Sequence, residues 1–186
     1  WQGDLVNRFF REARASASIE SEHIVEVYDT GTDPATRLPF ILMELLRGED
    51  LEMIFELVGA LRPTAACRVI AQAALGLADA HYAGIIHRDV KPANIFLHTR
   101  PNGEGVVKIL DFGIAKQSLD LAPQNQGLTR TGSIMATPAY MSPEQAQGAR
   151  GIDGRTDVWS LSMCLYEALA GCLPWGPEVD TLGNLI

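Results

Sequence analysis

The chain has 186 residues, a formal net charge of −8 and 47% hydrophobic residues, enough apolar mass for the core of one or two domains. An acidic balance argues against a nucleic-acid binder, which would show a basic patch. Three cysteines, Cys67, Cys164 and Cys172, are too few and too scattered for a disulfide framework or a zinc site. They sit in apolar, helix-like contexts, so buried free thiols in a reducing cytosol are expected.

The start, Trp1-Gln2-Gly3-Asp4, shows no signal peptide. The stretch from Val158 to Trp175 is the most membrane-like, but Glu167 interrupts it and Pro174 ends it. A span needs about 20 mainly apolar residues, so a buried core helix is predicted instead.

In chain order, Arg and Glu alternate with Phe and Ala at helical spacing from about Asn7 to Ser18. The β-branched, alternating run His23 to Asp29 predicts a strand, Gly31 to Arg37 a turn, and Leu38 to Glu44 a second strand paired with the first. Leu45 to Gly48 reads as a connector and Leu51 to Val58 as a short helix. Pro63 suits the first turn of a longer helix that Gly84 terminates, with Val69, Ile70, Ala73, Ala74 and Leu77 as its apolar stripe. Pro101-Asn102-Gly103 signals a hairpin between Ile95–Leu97 and Val106–Leu110. Lys116 to Ala136 has no period and is rich in Ser, Thr, Gln and Gly, and long loops of that kind are usually functional. Asp157 to Ala170 predicts the buried helix.

The segment His87-Arg88-Asp89-Val90-Lys91-Pro92-Ala93-Asn94, followed by Asp111-Phe112-Gly113, sets a carboxylate, an amide and a second carboxylate at the spacing phosphoryl transfer needs. One carboxylate can orient a substrate hydroxyl. The amide and the other carboxylate can hold Mg²⁺ against nucleotide phosphates. With Thr137-Pro138-Ala139-Tyr140-Met141-Ser142-Pro143-Glu144-Gln145 and Asp157-Val158-Trp159-Ser160-Leu161, this order of motifs resembles the protein kinase family, and specifically the bacterial serine/threonine kinases of the eukaryotic type.

The resemblance implies an α+β, protein-kinase-like two-lobe fold. The family's glycine-rich loop and strand lysine would lie upstream of the first helix, and its last helices beyond Ile186. A truncated domain is therefore expected: 1–44 as a remnant of the small lobe, 45–48 as the hinge, 49–186 as part of the large lobe. This fragment alone is expected to have negligible kinase activity and to expose apolar surface.

By the same resemblance, Asp89 would be the catalytic base and Lys91 would neutralise charge on the transferring group. Asn94 and Asp111 would ligate Mg²⁺, or Mn²⁺ in its place. Glu12 would pair with the absent strand lysine. Main-chain groups of Glu44 and Leu46 would hold the adenine of ATP behind Met43, with Phe96 packing beneath it. Arg88 would capture a phosphate at Thr129 or Thr131, autophosphorylated in trans within a homodimer, with Ser133 a weaker candidate. Thr137 would bridge Asp89 and Lys91, although Ala136 replaces the usual Gly before it. His87 and Phe112 would belong to an apolar spine in which Ser16 is unusually small. Phe112 and Gly113 complete their tripeptide. Glu144 would pair with a later Arg, and Asp157 would accept bonds from the catalytic-loop backbone. Ala93 removes a Glu that would favour basic substrates. His81 and His98 read as ordinary helix and loop histidines.

The partners so implied are proteins bearing Ser or Thr, with no nucleic acid, no membrane contact by this fragment and a cytoplasmic location. Two other readings compete. A pseudokinase scaffold is opposed by intact Asp89, Asn94 and Asp111. A small-molecule phosphotransferase of the aminoglycoside type would lack the threonine-rich segment, the S-P-E closure and D-V-W-S-L.

Overall fold

Two small antiparallel sheets and a layer of helices make up the computed structural model, which describes residues 10, 17–112, 138–149 and 151–175. The helix expected from Asn7 to Ser18 lies almost wholly outside these residues. So do Glu12, Ser16, Gly113, Thr129, Thr131, Ser133, Ala136 and Thr137.

The first sheet is a hairpin of β1 (Val27–Thr32) and β2 (Pro39–Met43), in register from Thr32 opposite Pro39 to Val27 opposite Met43. Asp33 shapes its turn by accepting hydrogen bonds from the backbone N–H groups of Ala35 and Thr36 at 3.0 and 2.6 Å. Those bonds hold its carboxyl below the usual range. Tyr28, Leu38, Phe40 and Leu42 leave the hairpin with exposed apolar side chains, as anticipated.

The strand expected over His23 to Asp29 is displaced. Residues 23–25 run beside the last strand instead, where Val25 N–H donates to Ile109 O at 3.0 Å and Ile109 N–H to His23 O at 2.8 Å. Ile24 and Val25 are 2% and 4% exposed, so burial overrides the alternation that suggested one continuous strand.

The connector also departs from expectation, because Gly48–Asp50 forms a strand, β3. It pairs with β4 (Ile95–Thr99), which in turn pairs with β5 (Gly105–Ile109). Gly48 has φ +137°, and a Cβ there would stand 2.1 Å from Leu97 O. Gly48→Ala should therefore cost about 1–3 kcal/mol of stability. Urea unfolding of the variant checks this; an unchanged midpoint would contradict it.

Asp50 ends β3 and caps helix α1 (Leu51–Val58), its carboxylate accepting from Met53 N–H at 2.9 Å. Helix α2 (Pro63–Tyr82) starts on proline and buries Ala66, Val69, Ile70, Ala73, Gly76, Leu77 and Ala80. Cys67 lies beside that stripe and is exposed, as is Cys172, so only Cys164 is the buried thiol expected of all three. Helix α3 (Pro143–Ala146) is one turn long. Helix α4 (Arg155–Ala170) starts two residues before the expected Asp157 and ends on left-handed Gly171 at φ 71°. Helices α2 and α4 pack together, and α2 also backs β5. Their common core includes Ile24, Leu77, Val90, Ile95, Ile109, Phe112, Leu161 and Cys164. Among the described residues no helix is long and apolar enough to cross a membrane.

Candidate active site

The loop from His87 to Asn94 leaves α2 and returns to the sheet at β4, and its shape is set from below by α4. Asp157, in the first turn of α4, is fully buried. Its Oδ1 accepts from Arg88 N–H at 2.8 Å, and its Oδ2 from His87 N–H at 2.9 Å. The same Oδ2 meets His81 Nε2 at 2.7 Å. A buried carboxylate is tolerable when donors surround it this closely. Arg88 is held at φ +63°, a left-handed conformation that turns the chain sharply into Asp89.

His81 is thus more than the ordinary helix histidine the sequence suggests. Gly154 makes room for it, since a Cβ there would lie 2.7 Å from the imidazole ring. Nothing in local periodicity marks this pair, because 76 residues separate its members.

Two bonds lash this loop to the segment carrying Asp111. His87 Nε2 lies 2.8 Å from Leu110 O, and Leu110 N–H donates to Asn94 O at 2.9 Å. His87 Nδ1 accepts from Asp89 N–H at 3.2 Å, so the neutral ring carries its proton on Nε2. The imidazole also packs on Phe112, with ring centroids 4.7 Å apart, and both residues are buried. Asp111, directly after Leu110, is exposed and has φ +41°.

Within the loop, Lys91 Nζ stands 3.6 Å from Asp89 Oδ2. Asn94 is 7% exposed and donates from Nδ2 to Asp89 O at 2.8 Å. That commitment fixes the amide, leaving its oxygen as the group able to serve a cation. Among the described residues no three His, Cys, Asp or Glu side chains gather as a closed metal cage. The Asn94 amide and the Asp111 carboxylate each carry hard oxygen atoms, the donor type that an ion keeping positions for phosphate and water prefers.

At the connector, Met43 ends β2 and is exposed, and Leu46 is half-buried. Glu44 N–H donates to Glu26 O at 2.9 Å, so its carbonyl is the main-chain group left for a ligand. Its side chain, which the sequence reading did not single out, meets Lys108 Nζ at 2.5 Å and accepts from Glu26 N–H at 2.9 Å. Phe96, half-buried on β4, faces Asp50 and Lys108 across the sheet. His98, the other histidine read as ordinary, accepts from Arg47 N–H at 2.9 Å.

The segment 138–145 meets α4 through polar bonds. Tyr140 O–H donates to Glu167 Oε2 at 2.5 Å, and Ser160 O–H donates to Tyr140 O at 2.7 Å. Glu144 stands in the first turn of α3, where its charge adds to that of Asp153 in raising the Arg155 pKa. Burial raises the Glu167 carboxyl, against the opposing pull of the Tyr140 hydroxyl. Burial and then Glu167 raise the Tyr140 phenol. A raised carboxyl holds its proton longer in the folded state than in the unfolded one. Its contribution to stability is thus largest at low pH and is lost as pH rises above the ordinary carboxylate range. Comparing unfolding of Glu167→Gln with the parent from pH 4 upward, roughly to neutrality, should show the parent losing ground steadily. A difference constant with pH would contradict the assignment.

Comparison with known proteins agrees with this geometry. The family model described as "Protein kinase domain" matches residues 2–184. The chain is 41% identical over 170 residues to serine/threonine-protein kinase pkn3 of Myxococcus xanthus, covering 91% of this chain and 30% of that protein. It is 44% identical over 170 residues to serine/threonine-protein kinase PknB of Mycobacterium tuberculosis, covering 90% and 26%. It is 43% identical over 176 residues to serine/threonine-protein kinase Pkn1 of Myxococcus xanthus, covering 94% and 24%. The chain therefore spans only 24–30% of the length of these curated relatives. With its α+β architecture and its Asp157-anchored loop, the chain belongs to the protein kinase domain family.

Proposed function

We propose that this chain is the central part of a kinase domain that transfers the γ-phosphoryl group of ATP to Ser and Thr hydroxyls of proteins. Residues 1–44 come from the small lobe, 45–48 form the hinge and 49–186 belong to the large lobe. The reading is carried by one observation: the Asp89–Asn94 loop and the Asp111 segment are bonded to each other through Leu110. Phosphoryl transfer depends mostly on positioning and charge stabilisation, which such a preset frame supplies.

In this reading Asp89 orients the acceptor hydroxyl and takes its proton as the oxygen attacks phosphorus. The bond to the bridging oxygen of ADP breaks in the same step. Lys91, beside Asp89, balances charge on the phosphoryl oxygens. The Asn94 amide oxygen and the Asp111 carboxylate would hold Mg²⁺, with Mn²⁺ as a substitute, and Glu12 belongs with the small-lobe lysine. When bound, the ion neutralises phosphate charge. The main chain of Glu44 and Leu46 receives the adenine behind Met43, above Phe96. Arg88 grips the phosphate carried by Thr129 or Thr131 after trans-autophosphorylation in a homodimer, and Thr137 contacts the acceptor. The domain acts on protein substrates, as the names of the relatives support, and in this reading it works in the cytoplasm and signals through those substrates.

The test is transfer from radiolabelled ATP by the full-length protein to a protein acceptor, followed by phosphoamino-acid analysis. Phosphoserine and phosphothreonine are expected. A folded protein that binds ATP but transfers nothing would leave the scaffold reading in its place.

A further inference from the structure

The S-P-E-Q run closing the 138–145 segment contains a side chain to which the mechanism above gives no part. Gln145 is the third residue of α3, and its side chain is committed at both ends. Its Oε1 accepts from Ser142 N–H at 3.1 Å, closing a capping box, while its Nε2 donates to Arg88 O at 2.9 Å. Ser142 O–H is fully buried, accepts from Gln145 N–H at 3.3 Å and shares a 2.7 Å bond with Thr156. Thr156 precedes Asp157 in the first turn of α4.

Arg88 is therefore gripped on both of its main-chain groups. Asp157 holds its N–H, and Gln145 holds its C=O. That carbonyl belongs to the peptide joining Arg88 to Asp89, so its orientation sets the direction in which Asp89 leaves a residue at φ +63°. A left-handed conformation at a non-glycine residue persists only where its surroundings enforce it. Asp157 fixes one side of the residue, His87 Nδ1 holds the N–H of the following peptide at 3.2 Å, and Gln145 holds that peptide's carbonyl.

From this geometry we infer that Gln145 is a positioning residue for Asp89, clamping the Arg88–Asp89 peptide through its carbonyl. The inference rests on the kinase reading above, in which Asp89 orients the acceptor hydroxyl. It also ties the closing turn of the 138–145 segment mechanically to the loop bearing Asp89. A displacement of that turn would move the catalytic carboxylate without touching the nucleotide.

The experiment uses the full-length protein with Gln145→Met, which keeps length and loses both polar ends, and Gln145→Glu. The glutamate keeps the acceptor for Ser142 N–H but turns an oxygen toward Arg88 O. Each is assayed well below its own Tm. Both variants should lose about tenfold in kcat, because small misplacements of a reacting group are costly in rate. The KM for ATP and the Kd for Mg-ADP should stay within about twofold, since the loss falls on positioning and not on nucleotide binding. A purely structural role would lower Tm without this split. Hydrogen exchange supplies a readout independent of activity: peptides covering 87–94 should exchange faster in Gln145→Met, while those covering α2 should not. Unchanged exchange over 87–94, or parental kcat in both variants, overturns the clamp. An inactive parent with the exchange change present would instead overturn the kinase reading and leave the clamp standing.

Discussion

Asp157→Ala should unfold the protein more readily and abolish most of its activity together. The alanine leaves three donors without this acceptor: the buried N–H of His87, and the part-buried N–H of Arg88 and Nε2 of His81. An unsatisfied buried donor costs about 1–3 kcal/mol, and breaking a buried charged network about 3–5 kcal/mol. The overall loss should be nearer the second figure, because the loop can relax toward solvent. That relaxation is what removes activity. Without the carboxylate, Arg88 N–H loses its bond to Asp157, its left-handed conformation is weakened on that side and Asp89 shifts. A fall of about 100-fold or more in kcat is expected for a displacement of this kind. Urea unfolding and steady-state phosphoryl transfer by the full-length variant check the two parts. A stable, active Asp157→Ala protein would mean that the buried carboxylate does not organise the loop.

Asp89→Asn should do the opposite on one axis and the same on the other. The change is isosteric, and its main-chain partners, His87 Nδ1 and Asn94 Nδ2, are untouched. Its exchange of one oxygen for an amide weakens the 3.6 Å approach of Lys91. Stability should therefore move by less than about 1 kcal/mol, the range for a partly exposed ion pair. An amide cannot take a proton at neutral pH, so general-base assistance worth about 10²–10⁴ in rate disappears. The KM for ATP should change little, because the nucleotide is held elsewhere. The pair of variants separates two roles that the sequence string cannot: one residue shapes the loop, the other acts from it. If Asp89→Asn kept most of the parental kcat, Asp89 would not be the base.

Much of the architecture was legible because its causes are local. Helix α1 runs from Leu51 to Val58 as expected, since Asp50 caps it from the adjacent position. Pro63 opens α2 for the same kind of reason. The β4–β5 hairpin follows from a turn whose Gly103 takes φ +84°, where side chains are disfavoured. The misplacements have a tertiary origin. Residues 23–25 carry a strand pattern, but pairing with Ile109 and burial decide where they lie. The shortness of β3 hid it, because three residues are too few to display alternation. Cys67 was read as buried from its apolar neighbours, yet helical rotation by one position carries it out of the stripe.

By itself the sequence determined the chemical identities that matter: a carboxylate, an amide and a second carboxylate in short strings whose order marks the kinase family. Only the tertiary structure decided who holds them in place. His81 and Asp157 meet across 76 residues, Gln145 and Arg88 across 57, and Tyr140 and Glu167 across 27. The reason is physical. A cap, a turn or an amphipathic stripe depends on neighbours within a few residues and so leaves a pattern in the string. A hydrogen bond between distant segments depends on how α2, α4 and the sheet pack, and it leaves only a single polar residue among many.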